Sequence, residues 1–88
     1  MVGFKVTVRR SVARDLRRIP KKELARILER IASLAMEPRP PGAEKLSGQE
    51  RYRLRQGVYR IVYEIKDKEL LIVVIKVGHR RDVYKSIQ

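Results

Sequence analysis

The chain has 88 residues, which provide one domain over residues 1–88 with one modest core and leave no room for a deep, lidded substrate cavity. Apolar residues make up 43% and charged residues 36%, a balance that supports a folded core and argues against disorder. Twenty-two Lys and Arg against ten Asp and Glu leave a formal charge of +12, with no cysteine and one histidine. That excludes disulfide frameworks, thiol nucleophiles and Cys-type or His-pair metal centres, and it favours a polyanionic or acidic partner.

In chain order, Phe4, Val6 and Val8 alternate with Lys5 and Thr7, the period of a short strand. Ser11 is placed to cap a helix running to about Arg18, with Val12 and Leu16 on its inner side. Pro20 interrupts that helix. From Lys21 to Met36 the apolar residues Leu24, Ile27, Leu28, Ile31 and Leu34 or Ala35 follow the spacing of one helical face. Pro38, Pro40, Pro41 and Gly42 end it and begin a loop of about ten residues. Strands are expected over 51–55 and 58–65 around a Gln56-Gly57 turn, followed by another turn at Asp67-Lys68. The Leu70–Ile75 run is apolar on both faces and β-branched, so Glu69–Val77 is expected to be a central strand. A short helix or turn from about Arg80 to Ser86 completes the order β-α-α-β-β-β. This is an α+β domain: a small, mostly antiparallel sheet with a helical hairpin on one face. No apolar window is long enough to span a membrane, and no signal-peptide run is present, so a cytoplasmic protein is expected.

The hairpin carries the first functional signal. A two-residue turn at Gln56 and Gly57 pairs Arg53 with Arg60 and separates two faces. Tyr52, Leu54, Tyr59, Ile61 and Tyr63 occupy the inner face, and Arg51, Arg53, Arg55 and Arg60 the outer one. A like-charge pair across two strands destabilises a sheet, so the reading is either a solvated basic face or a phosphate site. Arginine forks match phosphate oxygens, and the Arg53–Arg60 pair favours the second. Gly57 supplies the positive φ of a tight turn. Tyr84 stands near Arg80, Arg81 and Lys85, where it can stack on a base or handle a proton.

Three segments resemble the RelE toxin family, within the RelE/ParE superfamily of type II toxin–antitoxin systems. They are Lys45-Leu46-Ser47-Gly48, the run from Tyr52 to Tyr63, and Val77-Gly78-His79-Arg80-Arg81-Asp82-Val83-Tyr84. The resemblance covers nearly the whole chain. It implies an endoribonuclease that enters the ribosomal A site and cuts mRNA there by attack of a 2′-OH on the next phosphate, with neither metal nor cofactor. It implies an acidic RelB-like antitoxin as partner, beside the ribosome and mRNA. By this resemblance Arg60 stabilises the transition-state phosphate, Arg80 has a related role, and Tyr84 stacks on substrate and assists proton transfer. Arg51 and Arg53 fall where classical members carry lysines; with Arg55, Arg81 and Lys85 they are expected to bind substrate.

Arginine does not give up its proton, so Arg51 and Arg53 can bind phosphate without acting as general base. The base is left between His79, which is alternatively a structural or merely exposed histidine, and Tyr84, whose ordinary pKa of ~10 neighbouring cations would have to lower. On strict alternation His79 shares a face with Leu71, Val73, Ile75 and Val77. Two other activities fit the same residues: ParE-like inhibition of DNA gyrase, and non-catalytic binding to RNA or the ribosome.

Overall fold

A computed structural model describes residues 3–46 and 50–81. Strand β1 (Lys5–Val8) leads into helix α1 (Arg10–Leu16). The expected Ser11 cap is not made. The Arg9 carbonyl accepts from the N–H groups of Val12 (2.9 Å) and Ala13 (3.1 Å), so the helix starts a residue before Ser11, which lies inside its first turn. Helix α2 (Lys21–Ser33) begins directly after Pro20, whose fixed φ and missing N–H suit a helix entrance. It stops short of Met36 because Leu34, Ala35 and Met36 donate to carbonyls only three residues back, the tightened geometry of a closing turn. Ile27, Ile31 and Leu34 are buried as the periodicity requires, whereas Leu28 is exposed.

Four more strands follow: β2 (Glu44–Leu46), β3 (Arg51–Gln56), β4 (Tyr59–Lys66) and β5 (Leu71–His79). Together the described strands form one sheet in the order β1-β5-β4-β3-β2. The β1–β5 pair is parallel and the others are antiparallel, giving a mixed sheet in an α+β domain. Strand β5 occupies an interior position, as its apolar run demands. Strand β2 falls where a loop was expected, since three residues are too few to show a period. Of the expected C-terminal helix or turn, only Arg80 and Arg81 are among the described residues.

The hairpin register differs from the expected one by two residues. Gln56 pairs with Tyr59, Arg55 with Arg60, Leu54 with Ile61, Arg53 with Val62, Tyr52 with Tyr63 and Arg51 with Glu64. The turn therefore consists of Gly57 and Val58. Gly57 has φ +61, and glycine at the first central position is what a type II′ turn requires. A Gln56-Gly57 turn of the mirror type I′ would force Gln56 to positive φ at a steric cost. A shift of two residues leaves every side chain on its own face, so the two-sided pattern survives and only the partners change.

A β-bulge changes β5 as well. Val62 pairs with Lys76 and Tyr63 with Val74, leaving Ile75 as the extra residue. Alternation consequently resets, and Ile72, Val74 and Val77 all join the main core. His79, across from Tyr59, lies with Val77 on the helix-covered side, not with Leu71, Val73 and Ile75.

Helices α1 and α2 cover one face of the sheet. Val12, Ile19, Ile27, Ile31 and Leu34 pack there against Tyr52, Leu54, Ile61, Tyr63, Ile65, Ile72, Val74 and Val77. On the opposite face Val62 and Ile75 form a second small cluster with Leu46 and Val73. The arginine row of β3 and β4 lies on that opposite face.

Candidate nucleic-acid interface

Period-two alternation on β3 sends Arg51, Arg53 and Arg55 to the face opposite the helices, and the register brings Arg60 across from Arg55. Arg60 is only 7% exposed. Its Nη1 donates to the carbonyl oxygens of Gly57 (3.1 Å) and Tyr59 (3.0 Å), which ties the guanidinium to the hairpin turn. Its Nε is buried without a hydrogen-bond partner among the described residues, and no described carboxylate forms an ion pair with it. A buried guanidinium in this state is costly. An external oxyanion presented to its remaining donors would relieve that cost.

The other arginines of the row are partly neutralised from within. Arg51 Nε and Nη2 donate to Glu64 Oε2 at 3.2 and 3.0 Å. Arg9 approaches the other oxygen of Glu64 at 3.9 Å. Arg53 Nη2 meets Glu44 Oε2 at 3.0 Å, and Arg55 Nη2 lies 3.6 Å from Glu44 Oε1. Neither glutamate was expected at the site. Glu64 shares the period of Arg60 and Val62 along β4 and was legible in that sense; Glu44 arrives on β2, whose existence the sequence did not signal. The row thus runs from Arg51, compensated by Glu64, through Arg53 and Arg55, which share Glu44, to Arg60 beside the turn, which pairs with no carboxylate among the described residues.

Strand β5 brings two more basic residues to that end. The Arg80 N–H donates to the Val58 carbonyl at 2.8 Å, which holds the exposed Arg80 against the hairpin tip. The Arg81 N–H lies 3.3 Å from His79 Nδ1. With Nδ1 accepting, the neutral imidazole carries its proton on Nε2. The His79 ring meets Tyr59 edge-on, with centroids 6.2 Å apart. It lines a cavity of about 180 Å³ with Asp15, Arg18 and Lys76. Because Arg60 is paired with Gly78 and Tyr59 with His79, the imidazole stands on the opposite side of the sheet from Arg60. Tyr84 and Lys85, like Ser47 and Gly48 of the first motif, lie outside the described residues.

At the far end of β3 a second polar cluster is fully committed to structure. Arg39 Nη2 bridges Asp67 (2.9 Å) and Glu50 (3.2 Å), while its Nε donates to the Tyr52 hydroxyl at 2.9 Å. Asp67 and then Tyr52 hold the Arg39 pKa above its ordinary value. Hydrogen bonds from Lys45, then Arg39 and Tyr52, hold the Glu50 carboxyl below its own. Every charge in this cluster already has an opposite partner, so it offers little to a ligand.

Comparison with known proteins agrees with this geometry. The family profile described as "ParE toxin of type II toxin-antitoxin system, parDE" matches residues 6–84. Toxin RelG of Mycobacterium tuberculosis is 34% identical, over 96% of this chain and 94% of RelG. Among solved structures, the archaeal RelE–RelB complex of Pyrococcus horikoshii superposes with a TM-score of 0.80 at 31% identity, covering 88% of this chain and 94% of the matched one. The RelBE2 toxin–antitoxin complex of Mycobacterium tuberculosis gives 0.78 at 29% identity, covering 90% and 100%. Helical hairpin and mixed sheet are accordingly those of a RelE-type toxin, and the chain belongs to the RelE/ParE family of type II toxin–antitoxin systems.

Proposed function

We propose that this toxin is a ribosome-dependent mRNA endonuclease acting in the A site. The 2′-oxygen of one nucleotide attacks the adjacent phosphorus and the bond to the 5′-oxygen of the next nucleotide breaks. The products are a 2′,3′-cyclic phosphate and a 5′-OH end. The observation that carries the reading is Arg60: a buried guanidinium tied to a turn, with Nε lacking a described partner. Such a group suits the non-bridging oxygens of a phosphate gaining charge in the transition state. Arg55 and Arg80 add positive charge at the same end, and Arg51 and Arg53 extend the track along the strand.

Proton transfer falls to Tyr84 in this proposal. The arginines keep their protons, and His79 faces away from Arg60 with Nδ1 already engaged. Ordering of the mRNA by the ribosome supplies in-line geometry that the toxin alone need not impose. An acidic RelB-like antitoxin is the proposed partner, supported by the charge of +12 and by the RelB antitoxins bound to the similar toxins.

The test maps mRNA 5′ ends on translating ribosomes for the unsubstituted chain, Arg60→Ala and Tyr84→Phe. Cuts at the A-site codon are expected, falling by about 10²–10³-fold in Arg60→Ala. Tyr84→Phe separates the hydroxyl from stacking. Intact mRNA with correctly folded toxin would overturn the reading. Replication arrest would then favour the alternative reading of ParE-like inhibition of DNA gyrase.

A further inference from the structure

Glu44 stands out among the acidic residues because it faces the row proposed to bind RNA. Its two carboxylate oxygens are divided between two arginines, 3.0 Å from Arg53 and 3.6 Å from Arg55. Arg55 is in turn the cross-strand partner of Arg60. An anionic group with two acceptor oxygens held by two guanidinium groups has the recognition chemistry of a backbone phosphate. We propose that Glu44 is an internal competitor of the RNA backbone: its carboxylate occupies Arg53 and Arg55 in the free protein and is displaced when RNA phosphates reach the arginines beside Arg60. The inference rests on the RNA-binding reading above.

Three observations favour Glu44 over Glu64 in this role. Glu44 sits on a three-residue strand at the sheet edge, where displacement disturbs little packing. Its side chain is 47% exposed against 23% for Glu64. Glu64 also accepts both donors of Arg51 on one oxygen, and its second arginine, Arg9 at 3.9 Å, lies outside the β3–β4 row, whereas Glu44 joins two arginines of the row itself. The functional consequence is selectivity. With Glu44 seated, its carboxylate cancels one of the positive charges that RNA would otherwise meet at Arg53 and Arg55. Loosely presented RNA must therefore break an ion pair before it gains one, whereas RNA held in register by another surface engages Arg60 at the same moment.

The experiment measures binding of the full chain to a short fluorescent single-stranded RNA, 2′-O-methylated so that it cannot be cut, between about 50 and about 200 mM salt. Glu44→Gln is compared with Glu37→Gln, which makes the same change in net charge at an exposed glutamate without an ion pair among the described residues. Glu44→Gln is expected to bind about two- to fivefold more tightly, the scale of one exposed ion pair. Its log–log salt slope should be steeper by about 0.7 for each arginine released. Glu44→Ala gives the same reading without an amide that could stay hydrogen-bonded to Arg53. Unchanged or weaker binding by both Glu44 variants overturns the proposal, as does an equal gain in Glu37→Gln. Absence of salt-dependent RNA binding by the unsubstituted chain overturns the RNA reading together with it.

Discussion

Tyr63 shows how far burial changes a single side chain. It is fully buried, stacks on Tyr52 with ring centroids 5.8 Å apart, and donates its hydroxyl to the Pro38 carbonyl at 2.7 Å. Desolvation pushes its pKa up to about 12. The folded state therefore keeps the phenol proton to higher pH than the unfolded chain, whose tyrosine ionises near pH ~10. This stability is fully present below about pH 10 and is lost as pH rises through about 12. Tyr63→Phe should cost about 1–2 kcal/mol near neutrality, because the Pro38 carbonyl loses its donor. The variant should also lose less stability than the parent between about pH 8 and about pH 11. Urea denaturation at the two pH values checks both; an equal alkaline loss in parent and variant would remove Tyr63 as its source.

At the level of elements, the hairpin turn decides where the arginines meet. Gly57 holds φ +61, and a Cβ placed there would touch nothing within 4 Å, so Gly57→Ala is opposed by backbone conformation alone. A cost of about 1 kcal/mol is expected, with Gly57→Asn recovering part of it. Because the Gly57 carbonyl also accepts from Arg60 Nη1, the proposed RNA cleavage should fall more than stability does. Thermal melting beside a cleavage assay measures both, and a proportionate fall would mean that the turn does not position Arg60.

The same hairpin shows what was legible in the sequence. Side-chain faces were legible because they follow a period of two, and Tyr52, Leu54 and Ile61 are buried as that period demands. The register was not, since a two-residue slip preserves both faces and only turn stereochemistry separates the alternatives. The Ile75 bulge had no signature in a run apolar throughout, and it moved His79 away from the arginine face. Strand β2 was too short to announce itself, so Glu44 was missed with it. Arg60 lies on β4, within the strand expected over 58–65, but its cross-strand partner is Arg55 and not the expected Arg53.

For the molecule as a whole, the charge of +12 must be carried against its own repulsion, and α1 concentrates that cost. Arg10, Arg14, Arg17 and Arg18 are exposed and form no ion pair with a described acid. Helix α1 has no acidic residue in its first turn, where the backbone dipole would favour one. Arg10 and Arg14 are also like charges four residues apart, a destabilising pair. Arg10→Glu reverses both effects, placing an acid at the helix start and an opposite charge ahead of Arg14. It should stabilise the fold by about 0.5–1 kcal/mol at low ionic strength. The gain should largely vanish near 1 M salt, where the screening length falls to about 3 Å. Denaturation of parent and variant at low and high salt decides the matter. A salt-sensitive gain would mean that the parent keeps Arg10 at the expense of stability, as expected of a surface charged for an anionic partner. A neutral or destabilising result would mean that α1 tolerates its cations by spreading them in solvent, and that its charge carries no comparable stability cost.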